Sequence, residues 1–161
     1  MRLPFLSLAL LPAALAFNPP LNPPDILLPK ANHLLAGNLS VGLSVDVGSM
    51  PVGNVTVIPI TGGAVQGPNL TGKVLAIGAD WGITTPQGIY YPDIRTQIRT
   101  LDGANIYLQM TGWMQHDNTT YVRTVFQTGS PNYAWLNYVV AFGVLGGSST
   151  GFVVDIWQFT Q

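Results

Sequence analysis

From His33 to the C-terminus, short runs rich in Val, Ile, Thr, Tyr and Phe are interrupted every few residues by Gly, Pro, Asn or Asp. β-Branched and aromatic side chains suit a pleated surface, and the punctuating residues supply turn conformations, so the rhythm reads as strands joined by tight turns. No apolar stripe of helical period runs far enough to make a packed helical layer. The spacing predicts strands at 39–47, 53–61, 72–79, 89–100, 104–112, 120–128, 138–145 and 151–159. Leu101-Asp102-Gly103 reads as a primed hairpin turn, because Asp-Gly tolerates positive φ. Residues 146–151, GGSSTG, read as a second, longer and looser turn, and 130–137, SPNYAWLN, as the one short helical turn. Strands in such a series form a sandwich or close into a barrel. Closure removes the edges that charge-poor strands would expose, so a small antiparallel barrel is expected.

The first sixteen residues, with Arg2, an apolar run from Leu3 to Leu15 and the small-x-small triplet Ala14-Leu15-Ala16, have the layout of a secretory signal peptide. The run is shorter than the ~20 apolar residues a spanning helix needs, and Pro4 and Pro12 interrupt it. Residues 17–32 follow as a proline-rich arm, and 33–161 as the barrel domain. The secretory pathway is therefore the expected route, ending outside the cell or in a vacuole. Asn38, Asn54, Asn69 and Asn118 each open an Asn-x-Ser/Thr sequon and are the expected glycan acceptors.

Once the leader is removed, five cations face seven aspartates, and the chain has no glutamate and no cysteine. Without a basic cluster, nucleic acid and anionic membrane are poor partners. Disulfides cannot hold the fold, and two separated histidines make a poor zinc site, so no metal is expected. No phosphate loop, dinucleotide fingerprint or His-Glu-x-x-His motif occurs. Any chemistry is then acid–base catalysis by Asp, Arg and Tyr, with no cofactor and a small-molecule substrate. Self-association stays open.

In a chain with only 8% charged residues, the segment 91–103 holds Asp93, Arg95, Arg99 and Asp102. With a period of two, Asp93, Arg95, Gln97 and Arg99 share one face of a strand, and Ile94, Thr96, Ile98 and Thr100 share the other. Either the polar face lies in water, where an Asp–Arg ladder contributes little, or it lines the lumen and aims guanidinium groups at a ligand. The functional expectation takes the second arrangement. Asp80, beside Trp81 between Gly78 and Gly82, is expected at a barrel mouth, where burial raises a carboxyl's pKa. Tyr107 and Arg123 complete the candidate catalytic set of Asp80, Asp93, Arg95, Arg99, Tyr107 and Arg123.

Residues 58–81, 93–107, 121–137 and 153–159 together resemble the family called domain of unknown function 3237. The pattern Asp-x-Arg-x-x-x-Arg-Thr-x-Asp-Gly is met by Asp93, Arg95, Arg99, Thr100, Asp102 and Gly103, and Asp80-Trp81, Arg123 and Tyr133-x-Trp135-Leu136-Asn137 also agree. The chain departs from the pattern at Gln127, where a glutamate is usual, and at Asp155, where an aromatic is common. The resemblance implies an all-β fold: a single antiparallel barrel of about eight to nine strands, similar in architecture to allene oxide cyclase. The leader, length and sequons further resemble a secreted fungal branch of the family. That likeness implies a cofactor-independent isomerase of mycotoxin biosynthesis, opening a polyketide-derived epoxyquinone (phyllostine to neopatulin, on the way to patulin). A non-catalytic ligand-binding barrel and a cell-wall glycoprotein are the alternatives, and the last of these predicts a lumen filled by side chains.

Overall fold

The computed structural model describes residues 28–161. The signal-peptide reading and most of the proline-rich arm fall outside the described residues. The strands are β1 (Lys30–Val41), β2 (Val45–Met50), β3 (Gly53–Gln66), β4 (Thr71–Thr84), β5 (Tyr90–Tyr91), β6 (Asp93–Thr100), β7 (Asn105–Met114), β8 (Thr120–Gln127), β9 (Ala141–Ser148) and β10 (Gly151–Thr160). Neighbours run β3-β1-β10-β9-β8-β7-β6-β4, and β4 pairs back onto β3, closing an eight-stranded antiparallel barrel. β2 and β5 attach to β3 and β4 as short additions.

The lumen is packed. Leu35 and Leu39 of β1, Ile94 and Ile98 of β6, Ile106, Leu108 and Met110 of β7, Val122 and Phe126 of β8, and Val154 and Ile156 of β10 meet in one cluster. About eight strands leave an interior just wide enough for such side chains to fill. A 3₁₀ helix (Pro131–Tyr138) follows β8, opened by Ser130 with Pro131 at its first position. It inserts Leu136 into the core, with Tyr133 and Trp135 partly buried against it. The short helical turn thus forms where the sequence places it.

Several boundaries differ from expectation. β1 begins at Lys30, inside the segment read as an arm, because Lys30–His33 pairs with the far end of the chain: Lys30 lies opposite Thr160 and His33 opposite Trp157. Gly37 and Gly63, read as punctuation, are strand residues where backbones crowd. A Cβ on Gly63 would stand 2.0 Å from the Asn38 carbonyl oxygen. The span 89–100 divides at Pro92, which has no N–H to give a ladder. Gly103 closes a three-residue connection at φ +88, with Thr100 N–H donating to Ala104 O at 2.9 Å, rather than a two-residue primed turn. The 146–151 loop is tight: Ser148 already pairs with Gly151.

Candidate functional site

The polar face of β6 points away from the lumen, which corrects the expectation of an ionic lining. Ile94, Thr96, Ile98 and Thr100 face inward with at most 4% exposure, and Asp93, Arg95, Gln97 and Arg99 lie on the outer wall. Two guanidinium groups in so narrow a lumen would have to be stripped of water and individually paired. Filling it with Ile and Thr avoids that cost.

Asp80 is also not at an open mouth. Its side of β4 registers with the inward-facing Ile94, and it has no solvent exposure. Its carboxylate accepts from the Tyr90 hydroxyl at 2.5 Å and from the Asp93 backbone N–H at 2.9 Å. Burial raises the Asp80 pKa, partly opposed by these two bonds. The Tyr90 hydroxyl is pushed above its ordinary range by burial and then by the Asp80 charge. The flanking glycines have distinct reasons. Gly82 lies under the Tyr90 ring, where a Cβ would come within 2.1 Å of the hydroxyl oxygen, and Gly78 takes φ +99 with a Cβ position 2.0 Å from the Arg95 carbonyl oxygen. Asp80 therefore anchors β5 and the start of β6 beyond Pro92. Tyr90 was not singled out from the sequence; the signal available was an aspartate sharing a strand face with a glycine.

On the outer wall, Asp93 receives Arg95 Nε at 3.0 Å, Arg95 Nη2 at 2.7 Å and Gln109 Nε2 at 3.1 Å. The Arg95 hydrogen bonds hold the Asp93 carboxyl below the usual carboxylate range; burial opposes them, and Gln109 and then the Arg95 charge lower it further. Asp93 is thus an ionised brace that fixes the plane of the guanidinium. Arg95 Cζ lies 6.0 Å from the centre of the Trp81 ring, and Trp81 is 41% exposed. Arg95, Trp81, Gln97 and Tyr107 line a cleft of about 160 Å³, with Ile77 and Gly78 at its β4 side. A register shift in β4 between Val74 and Gly78 shapes that side, and Thr96 Oγ1 secures it by donating to the Ile77 carbonyl at 3.0 Å.

Of the predicted residues, Arg95 and Tyr107 share this cleft, Asp93 braces it, and Asp80 lies behind it in the wall. Arg99 instead donates from Nε to Asn105 Oδ1 at 3.1 Å, near the Gly103 turn. Arg123 is exposed on β8, in register with Thr111 and so two strands away from Asp93. Asp102 accepts from the Thr100 and Tyr133 hydroxyls and ties the β6–β7 turn to the 3₁₀ helix. Trp81 and Gln97, given no chemistry from sequence, are cleft residues. The parity of β4 and β6 was the signal that could have found them.

A family model described as "Protein of unknown function (DUF3237)" matches residues 29–159. The chain belongs to that family. Among relatives of this DUF3237 barrel, a UPF0311 protein of Rhodopseudomonas palustris is 30% identical over 135 residues, covering 73% of this chain and 88% of the relative. The hydroalkoxylation enzyme phnH of Penicillium herquei is 28% identical over 130 residues, covering 81% and 83% respectively. A β-barrel-like protein of Acinetobacter baumannii superposes with TM-score 0.77 at 28% identity, over 89% of this chain and 99% of that one. An enzyme from Penicillium herquei superposes with TM-score 0.71 at 28% identity, over 82% and 95%. The barrel is thus of a kind that serves an enzyme in a fungal relative.

Proposed function

We propose that this DUF3237 barrel is a cofactor-independent isomerase acting on a small oxygenated ring compound at the outer-wall cleft. The observation that carries the reading is the meeting of a braced guanidinium, a phenol and an exposed indole in one cleft: Arg95, Tyr107 and Trp81. Trp81 offers a face on which a flat ring stacks. Arg95 Nη1, without a protein partner among the described residues, is free to stabilise an oxygen that gains negative charge. Tyr107 supplies a proton to that oxygen, the proton lost from carbon passes to water at the open cleft, and water returns one to the Tyr107 phenolate. In an epoxide-opening rearrangement the C–O bond breaks, the oxygen is protonated, and no electron leaves the substrate. The specific form carried from the sequence likeness is phyllostine to neopatulin.

A second reading comes from the fungal relative whose name is hydroalkoxylation enzyme. Hydroalkoxylation adds a hydroxyl across a carbon–carbon double bond, its proton moving to carbon. Within one molecule this is again a net isomerisation, and the same three side chains serve it. The signal-like leader and the sequons support a glycosylated product of the secretory pathway. Asn69 and Asn118 are exposed on turns, as an acceptor must be.

The test incubates the purified protein with phyllostine and looks for an isomer of identical mass. One positioned oxyanion donor is typically worth about a hundredfold in rate, so Arg95→Ala should lose about that much. Wild-type turnover in folded Arg95→Ala and Tyr107→Phe would remove the assignment. Binding without any conversion, across epoxyquinones and hydroxyalkenes, would make the barrel a carrier.

A further inference from the structure

A second cleft, of about 180 Å³, opens on the same wall and is lined by Val52, Ile83, Thr85, Tyr91 and Trp113. None of these side chains is charged, and Trp113 is 51% exposed. Tyr91 packs edge-on against Trp113 with ring centres 4.6 Å apart. The strand register places this cleft beside the first. The two clefts come nearest along β4, where Trp81 of the first stands two residues, roughly 7 Å, from Ile83 of the second. Arg95 is four residues from Tyr91 across Asp93 and Pro92, roughly 14 Å. A ligand whose oxygenated ring stacks on Trp81 beside Arg95 therefore reaches the second cleft past Ile83 with one extended substituent.

This inference rests on the Arg95 reading and extends its substrate class beyond phyllostine, whose hydroxymethyl group does not fill the second cleft. We infer that the barrel prefers ring compounds carrying an apolar substituent, seated among Val52, Ile83, Tyr91 and Trp113, and that these residues set that preference. The cleft is close in size to an engineered cavity of about 150 Å³ that takes benzene, which corresponds to a group of roughly four to six carbons. A bare ring fills the Arg95 cleft alone and leaves Trp113 and Tyr91 in water. Alkyl-bearing members of the epoxyquinone class are then better substrates than unsubstituted ones.

Calorimetric titration of the purified protein with 2-methylhydroquinone, 2-hexylhydroquinone and 1-hexanol tests this. The hexyl compound should bind at least about tenfold tighter than the methyl one, the scale of a filled apolar subsite. That advantage should vanish in Trp113→Ala, and also in Val52→Asp, which charges an exposed rim position without disturbing the core. The affinity for 2-methylhydroquinone should not change in either variant. Equal affinities of the wild type for the two hydroquinones would overturn the inference, as would a hexyl advantage that survives both substitutions. Arg95→Ala should weaken both hydroquinones alike and leave 1-hexanol unaffected. If it leaves both hydroquinones unaffected while the hexyl advantage persists, the Arg95 reading fails and the apolar subsite stands.

Discussion

Gly82→Ala is the substitution whose consequence the structure defines most sharply. Gly82 has ordinary extended backbone, so alanine is strained there only by what its Cβ would meet: the Tyr90 hydroxyl oxygen at 2.1 Å and two ring carbons at 2.5 Å. The ring must move, and its hydrogen bond to the buried Asp80 carboxylate breaks. A hydrogen bond to a charged group is worth about 1.5–3 kcal/mol, and displacing the ring adds packing loss, so the cost should be about 2–4 kcal/mol. For a domain near 150 residues that lowers Tm by about 5–15 °C. The assay is a double-mutant cycle read by thermal or urea unfolding. In a Tyr90→Ala background the obstruction is gone, and Gly82→Ala should then change stability by no more than about 0.5 kcal/mol. If Gly82→Ala costs the same with and without the Tyr90 ring, the steric account of this glycine is wrong.

Asp80 and Asp93 should shift the pH dependence of stability in opposite senses. The folded state raises the Asp80 pKa above the ordinary 3.8, so stability linked to Asp80 is full below that value and declines as pH rises through the folded pKa. Asp80→Asn should flatten that decline in urea melts taken across the range; an unchanged profile would refute the assignment. For Asp93, held below 3.8, the linked stability is present above 3.8 and fades as pH falls through the lowered value, so Asp93→Asn should flatten the acid limb. Thr124 Oγ1 is buried without a hydrogen-bond partner, so Thr124→Val should be neutral or stabilising by up to about 1 kcal/mol by chemical denaturation. Arg99→Ala, a cation bonded to Asn105 outside the cleft, should leave turnover within about twofold of wild type where Arg95→Ala does not.

Much of the fold was legible because it depends on local patterning. The alternation of Ile94, Ile98, Ile106, Leu108 and Met110 with polar neighbours specifies half-buried strands wherever they pair. Pro131 after Ser130 opens a helical turn for reasons contained in those residues. What eluded the sequence depended on distant partners. Lys30–His33 has no strand character of its own and is ordered by β10. Glycines 37 and 63 look like turn residues until the crossing of β1 and β3 is known.

The candidate site was legible in part of its membership, Arg95 and Tyr107 with Asp93 as brace, but not in its orientation. Period-two patterning divides a strand into two faces without saying which is inside, and scarcity of charge made the charged face of β6 look ligand-directed. Length and strand count already contained the deciding argument. A barrel of about eight strands has a lumen that side chains fill, and this lumen is closed by aliphatic residues from six or more strands. That packed interior is what the purely structural alternative expects. The outer cleft is what that alternative does not account for.

The β4 register shift connects the two observations. Between Val74 and Gly78 the ladder to β6 is interrupted, and pairing resumes with Gly78 opposite Thr96 and Ala79 opposite Arg95. Bulges of this kind re-aim side chains and recur beside active sites. Here the interruption leaves Ile77 48% exposed and opens the wall beside Arg95 and Gln97. Arg99 lies where β4 and β6 are in regular register, opposite Lys73, and lines neither the Arg95 cleft nor the Tyr91–Trp113 cleft. Two arginines four residues apart on one strand face therefore differ in role because of a backbone irregularity on the neighbouring strand. Three residues of β4 between Val74 and Gly78 stand against Gln97 alone on β6, so deleting two of them should regularise the ladder and remove the ring-binding cleft while the Tyr91–Trp113 cleft remains. In calorimetry that variant should lose affinity for 2-methylhydroquinone and retain 1-hexanol; retention of both would show that the irregularity does not make the site.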